Sequence, residues 1–257
     1  MENENVKKSI EKFLATEKVY HYTSFEAACK IISSKRLKFG VVNKTNDINE
    51  VHRKIGFPMG TEIALESVEE EMSRYKQLSF VNDNSPRCGY NIPAMWGHYA
   101  QKGNGVCLVF DKSKLMARLS PNMVEQEVKY NESFNEHILV EKDVRGFFER
   151  NKKKIFFKKT KDWSYEQEWR ILARFEQQTT YLPFEDSLMA IITNNVSDID
   201  QCKNIFSSEN VVLLKKIAPE IPILNHALWF SDPVLADDNG NDWSKQKNWD
   251  FDVENLG

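Results

Sequence analysis

No run in this chain of 257 residues approaches eighteen consecutive apolar positions, the minimum for a helical membrane span. The opening MENENVKKSIEKFL is charged throughout and holds no apolar stretch, so no secretory signal is expected and the cytoplasm is the expected location. Cysteine is scarce: Cys29, Cys88, Cys107 and Cys202 lie far apart, with no CxxC pair and no histidine at ligand spacing. That excludes a zinc site or a disulfide framework at the sequence level; the four read as buried thiols, and no metal is expected. The glycines never form GxGxxG after a strand, nor a Gly-rich loop ending in Lys-Ser/Thr, which removes the dinucleotide-binding Rossmann and the P-loop readings. There is no excess of positive charge either. A formal charge of -3 argues against a protein that coats nucleic acid electrostatically.

What is present is 41% hydrophobic and 12% aromatic content, enough for a full-sized core. The expected organisation is an N-terminal helix over 1–17, a single α+β domain over 18–236 and an acidic, polar tail over 237–257 with two isolated tryptophans. No internal repeat is visible. One segment departs from the overall charge: Arg150 to Lys161 is strongly basic, and reads as the solvated face of a helix whose Phe148, Ile155 and Phe156 reach the core.

Periodicity and capping residues set the elements. Helical spacing over 5–15 leads to a strand at 19–23, and Ser24 caps a helix over 25–34, followed by a strand at 37–42. An amphipathic helix is predicted over 62–77 with Leu65, Val68, Met72 and Tyr75 on one side, then a short strand at 78–80. Pro93 opens a helix running to about position 101, Gly103 and Gly105 end it, and Val106 to Phe110 is an apolar strand expected to be central. Further helices are predicted near 112–119, over 134–159 and over 198–206. Strands are predicted at 124–130, 168–175, 189–193 and 211–215. Helices and strands do not alternate strictly, so an α+β fold with a split or mixed sheet is expected.

Three stretches carry chemistry: Val19 to Ser24 with His21, Tyr22 and Thr23; Met95 to Tyr99 with Trp96 and Tyr99; and Trp163 to Arg170 with Glu166, Glu168 and Arg170. Glu166, Glu168 and Arg170 share one side if the chain is extended there. Each has a plainer reading. His21 can be a satisfied structural group, Tyr99 and Trp96 can be core packing on one helix face, and Glu168 can pair with Arg170 or Lys158 to anchor its strand. A fourth stretch, Asn43 to Glu50, is a loop dense in Asn and Asp. Asn46, Asp47 and Glu50 there either cap a helix or bind an acceptor or a cation. His98 and His137 are assigned no role, and Trp163 is read as packing.

In sequence order HYTSFEAACKIISSKRLKF, TNDINE, LSF, AMWGHYAQKGNGVCLVFD, KTKDWSYEQEWRIL and LMAIIT resemble a widespread bacterial family known as domain of unknown function 2971. The likeness runs from about Val19 to about Leu214. Its most specific elements are Asn46-Asp47-x-x-Glu50, Trp96-x-x-Tyr99 with the strand from Gly105 to Leu108, and Glu166-x-Glu168-x-Arg170. More distantly, the layout resembles the ADP-ribosyltransferase superfamily of His-Tyr-Glu type. There a first-strand His, a later Tyr and a late Glu hold NAD, and His21, Tyr99 and Glu168 match in order. Tyr22 stands where polymerase-like members carry glycine, and Glu-x-Glu is more typical of the arginine-directed toxin branch.

That resemblance implies an ADP-ribosyltransferase-like split sheet and an enzyme that uses NAD, transferring ADP-ribose to an unknown acceptor, protein or nucleic acid, or hydrolysing NAD. A toxin or phage-defence effector is the implied setting. Cleavage of the bond from nicotinamide to ribose develops positive charge on the sugar, which an ionised carboxylate such as Glu168 would stabilise. Glu166 would orient or deprotonate the acceptor. Tyr99 would stack on nicotinamide and His21 would bond the adenosine-side ribose, with Tyr22, Thr23, Trp96 and Arg170 completing the NAD contacts. Two alternatives from other classes stand beside it. In one, the chain is a non-catalytic nucleotide- or partner-binding module whose Glu166, Glu168 and Arg170 form a structural network. In the other, it acts on nucleic acid, with Arg150 to Lys161 as the phosphate track and Asp47, Glu50 and a distant carboxylate holding a metal.

Overall fold

Ser24 does what its sequence position suggests: in the computed structural model its hydroxyl accepts from the Ala27 amide at 3.1 Å and starts a helix over Phe25–Ser34. The structure describes residues 15–42, 47, 55–57, 63–83, 89–132, 138–176, 180–193, 212–216 and 226–230. Residues 5–14 of the first expected helix, the element expected over 198–206, the residues Asn46, Glu50, Cys88, Cys202 and His137, and the tail over 237–257 lie outside them.

In chain order the first half comprises β1 (Lys18–Thr23), α1 (Phe25–Ser34), β2 (Arg36–Lys38), β3 (Gly40–Val41), β4 (Ile55–Gly56), α2 (Leu65–Arg74), β5 (Tyr75–Asn82), α3 (Pro93–Tyr99) and β6 (Val106–Asp111). Then follow α4 (Lys112–Met116), β7 (Met123–Glu127), β8 (Lys129–Asn131), β9 (Ile138–Leu139), α5 (Val144–Phe156) and β10 (Lys158–Thr160). A 3-10 turn at Lys161–Glu166 leads into β11 (Glu168–Arg174), and β12 (Tyr181–Pro183), β13 (Leu188–Thr193), β14 (Val212–Lys216) and β15 (His226–Phe230) complete the order. The class is mixed α+β with mostly antiparallel pairing, as expected at that level.

The chain divides into two compact units: one holds Met1–Lys35, Asp83–Ala117 and Phe184–Gly257, the other Arg36–Asn82 and Arg118–Pro183. In the first, strands run in the order β15-β14-β13-β6-β1, antiparallel except for the parallel β13–β14 pair. β6 lies between two neighbours with every residue buried, which is why Val106 to Phe110 is an unbroken apolar run; Asp111 at its end accepts from the Lys114 amide at 3.1 Å and caps α4.

In the second unit β11 lies between β5 and β7, antiparallel to both, and β3 pairs with β5. Its core gathers Val68 and Met72 of α2, Tyr75 of β5, and Phe147, Phe148, Ile155 and Phe156 of α5. The Tyr75 ring stacks on Phe156 at 4.9 Å, and its hydroxyl donates to Glu149 at 2.6 Å. Burial pushes that phenol well above the usual tyrosine range, with the Glu149 carboxylate adding to it.

Several expected elements change. The helix predicted over 62–77 ends at Arg74, because Tyr75 to Val81 pair residue by residue with β11; Leu65, read as core-facing, is 54% exposed. The strand predicted over 37–42 is two short strands. Arg36–Lys38 pairs with β12 and Gly40–Val41 with β5, and the Phe39 amide between them donates to the Thr180 carbonyl at 3.1 Å. The helix predicted over 134–159 is only α5, capped where the Asp143 side chain accepts from the Gly146 amide at 2.9 Å. Ile138–Leu139 before it pairs with β4, and Lys158–Thr160 after it pairs with β8. Phe148, Ile155 and Phe156 are buried as the basic segment's reading required.

Candidate functional site

The candidate residues fall in two sets, one in each unit. In the first unit, β1 presents alternate faces, so His21 and Thr23 share one side while Tyr20 and Tyr22 share the other. Tyr22 and Trp96 come together: their rings meet edge to face at 5.2 Å and both are buried. The Tyr22 hydroxyl donates to the Gly89 carbonyl at 2.7 Å, and the Trp96 indole N–H donates to the Tyr90 carbonyl at 2.8 Å. Burial holds the Tyr22 phenol well above its ordinary range, so it is neutral. This pair packs α3 against β1. His21 and Thr23 stand on the opposite side of the strand and are partly exposed, opposite Leu108 and Val106 of β6. Tyr99 is also partly exposed, with its ring 6.2 Å from His98.

In the second unit Glu166, Glu168 and Arg170 meet, joined by Lys159 of the basic segment, which is buried rather than solvated. Arg170 binds Glu168 through two parallel bonds, Nε to Oε1 at 2.7 Å and Nη2 to Oε2 at 2.8 Å. Its third nitrogen donates to the Phe156 carbonyl at the end of α5. The Lys159 ammonium lies between two carboxylates, 2.5 Å from Glu166 and 2.9 Å from Glu168. The partner of Glu168 besides Arg170 is therefore Lys159, not Lys158: on β10 successive side chains point to opposite faces, and it is Lys159 that turns inward. All four groups are buried, with Arg170 at 0%, Glu166 and Glu168 at 3% and Lys159 at 5% exposure.

Backbone geometry brings Glu166 and Glu168 together. They are not consecutive turns of one strand: Glu166 closes the 3-10 turn, Gln167 takes the left-handed conformation at φ 43°, and Glu168 begins β11. The Gln167 carbonyl accepts from Asn82 at 2.9 Å and its amide donates to Ser164 at 3.2 Å, which fixes the bend. A β-branched residue is strained at such a φ. Gln167→Val is expected to unfold at lower urea than Gln167→Gly, by about 1–2 kcal/mol. Equal midpoints would show that the bend is not needed.

Two further residues join the cluster. The Tyr130 hydroxyl accepts from the Glu168 amide at 2.9 Å, and Ser79 of β5 hydrogen-bonds the Glu168 carboxylate. Burial alone would raise the Glu168 carboxyl; the Arg170 guanidinium and the Lys159 ammonium outweigh it and hold the group well below the usual glutamate range. Sequence gave little sign of Lys159, Tyr130 or Ser79. The one cue was the two-residue step from apolar Phe157 to Lys159, which puts both on one side of an extended chain.

Asp47 is buried, whereas its expected companions Asn46 and Glu50 lie outside the described residues. Cys107 is buried and Cys29 partly so, both as free thiols. Among the described residues no group of three or more His, Cys, Asp or Glu side chains is placed to hold a metal, and no helix is long and apolar enough to cross a membrane. No curated protein matches the chain. Residues 95–171, which include Trp96, Tyr99, Glu166, Glu168 and Arg170 but not His21, match the family described as protein of unknown function DUF2971, in support of that resemblance.

Proposed function

We propose that the chain is an NAD-using enzyme of ADP-ribosyltransferase type, transferring ADP-ribose to an acceptor or hydrolysing NAD. The observation that carries this reading is the convergence of Glu166 and Glu168 on one ammonium, at 2.5 and 2.9 Å. The two carboxylates form a site built around a cation, with Glu168 kept ionised. An oxocarbenium-like ribose is such a cation, and a fixed carboxylate beside it stabilises charge that exists mainly in the transition state. In this reading Lys159 gives up its place between the carboxylates when NAD binds. The Trp163 ring, 5.6 Å from its ammonium, offers a cation–π position on that side.

A second reading is favoured by the burial of all four charged groups. Two cations and two carboxylates cancel locally and leave little field for a developing positive charge, which suits a non-catalytic module with an ionic lock under β11. Incubation with NAD labelled in the nicotinamide ring separates the two. The enzyme reading expects nicotinamide release by the wild type and a loss of about 10²–10³-fold in Glu168→Gln that still shows cooperative unfolding. NAD binding without release by the wild type would leave the module.

A further inference from the structure

We infer that the second unit carries a docking face for single-stranded nucleic acid, formed by the end of α5, the β8–β10 pair and the 3-10 turn that follows. Seven basic residues and no acidic one lie between positions 150 and 161, yet the structure gives them different roles. Arg150 is held by Glu141 at 2.5 Å and Asp143 at 3.6 Å, Lys152 by Glu149 at 2.9 Å, Lys161 by Glu132, and Lys159 by the buried carboxylates. Lys153 and Lys154, both exposed in the last turn of α5, have no acidic partner among the described residues. Neither does Lys129, exposed on β8.

Lys129 is paired in register with Lys158 of β10, so two lysines stand side by side on one face of a parallel strand pair. A phosphate oxygen placed against that pair accepts from the exposed Lys129 ammonium. The same segment then presents two aromatic rings. Trp163 and Tyr165, partly exposed on the turn after β10, lie with centroids 6.1 Å apart and planes tilted by 36°. Exposed lysines and a pair of accessible rings on one short stretch of chain match the chemistry of a strand whose phosphates meet ammonium groups and whose unstacked bases meet aromatic faces. A duplex hides its bases, and an acidic protein surface has no use for the rings. The overall charge of -3 leaves this face a local feature, which predicts weak, salt-sensitive binding.

The test uses the full chain without NAD, so that failure of the NAD reading and failure of this one are told apart. Fluorescence anisotropy of a labelled oligouridylate of about twenty nucleotides is followed as salt rises from 50 to 200 mM. With three to four phosphates contacted, affinity is expected to fall roughly 20- to 50-fold. Lys153→Glu with Lys154→Glu is expected to weaken binding at least about tenfold and Trp163→Ala at least about fivefold, with Trp163→Phe restoring it. Thermal unfolding of each variant guards against loss of fold, and Tyr165→Ala serves if Trp163→Ala does not fold. Absence of binding at 50 mM salt overturns the proposal. So does equal affinity for a duplex, or displacement by inorganic polyphosphate at equal phosphate concentration together with indifference to Trp163→Ala.

Discussion

Replacing Glu168 with alanine is expected to lower the unfolding free energy by about 3–5 kcal/mol, a fall of roughly 6–20 °C in Tm for a chain of this size. The size of the loss comes from what remains. Arg170, Lys159 and Glu166 stay buried, so the substitution leaves two cations against one carboxylate with no water to compensate. Removing Arg170 as well, as Glu168→Leu with Arg170→Met, leaves Lys159 and Glu166 paired at 2.5 Å and the local charge balanced. The double variant is expected to regain a large part of the loss, because apolar groups of similar volume replace a buried ion pair at little net cost. A pH series gives the same group a second signature. The Glu168 carboxyl is held well below its ordinary value of 4.5, so its contribution is fully present above that pH and is lost as pH falls toward the folded-state value. Between pH 4.5 and about 3 the wild type should lose stability more steeply than Glu168→Gln. Parallel slopes would show that Glu168 is not ion-paired in solution.

That experiment also weighs the two functional readings. A catalytic Glu168 loses far more rate than the unfolded fraction of Glu168→Gln accounts for. A structural Glu168 loses stability and has no activity to lose.

The parts of this architecture that were legible in the sequence are those whose signal is local. Ser24 caps α1 through a bond three residues long, and β6 and β11 are dense in apolar residues because both lie between neighbouring strands. What was not legible depends on partners far along the chain. β5 reads as the end of a helix because Lys76 and Gln77 interrupt any strand alternation. They are buried nonetheless, held in register with Ala173 and Leu172 of β11. The strand at 37–42 breaks in two only because Arg36 finds Pro183 while Gly40 finds Gln77. For the site, Glu-x-Glu-x-Arg pointed to a cluster of charges on one side, and the Glu168–Arg170 half of it follows from strand period alone. Lys159 did not follow. A lysine among lysines is ordinarily solvated, and its burial is decided by two carboxylates that a left-handed Gln167 turns toward it.

Two glycines of the matched region should respond to the same substitution in opposite directions. Gly105 joins the turn after α3 to β6, and its amide donates to the Ala100 carbonyl at 2.8 Å. A Cβ there would lie 2.3 Å from the Thr23 carbonyl oxygen and 2.9 Å from the Ala100 Cα and carbonyl carbon. All three are backbone atoms, so no rotamer change relieves the overlap. Either the end of β1 moves away from β6 at the Thr23–Val106 pair, or the turn that fixes α3 opens. Gly105→Ala is therefore expected to cost about 3 kcal/mol, the upper end for an overpacked site. Gly97 lies exposed within α3, and a Cβ there meets nothing within 4 Å. Gly97→Ala removes backbone freedom from the unfolded chain without a clash and is expected to gain about 0.5–1 kcal/mol. Urea midpoints of the two variants against wild type should thus fall on opposite sides. If Gly105→Ala unfolds at the wild-type midpoint, the close approach of β1 to the turn is wrong, and with it the packing of Tyr22 and Trp96 that joins His21's strand to Tyr99's helix.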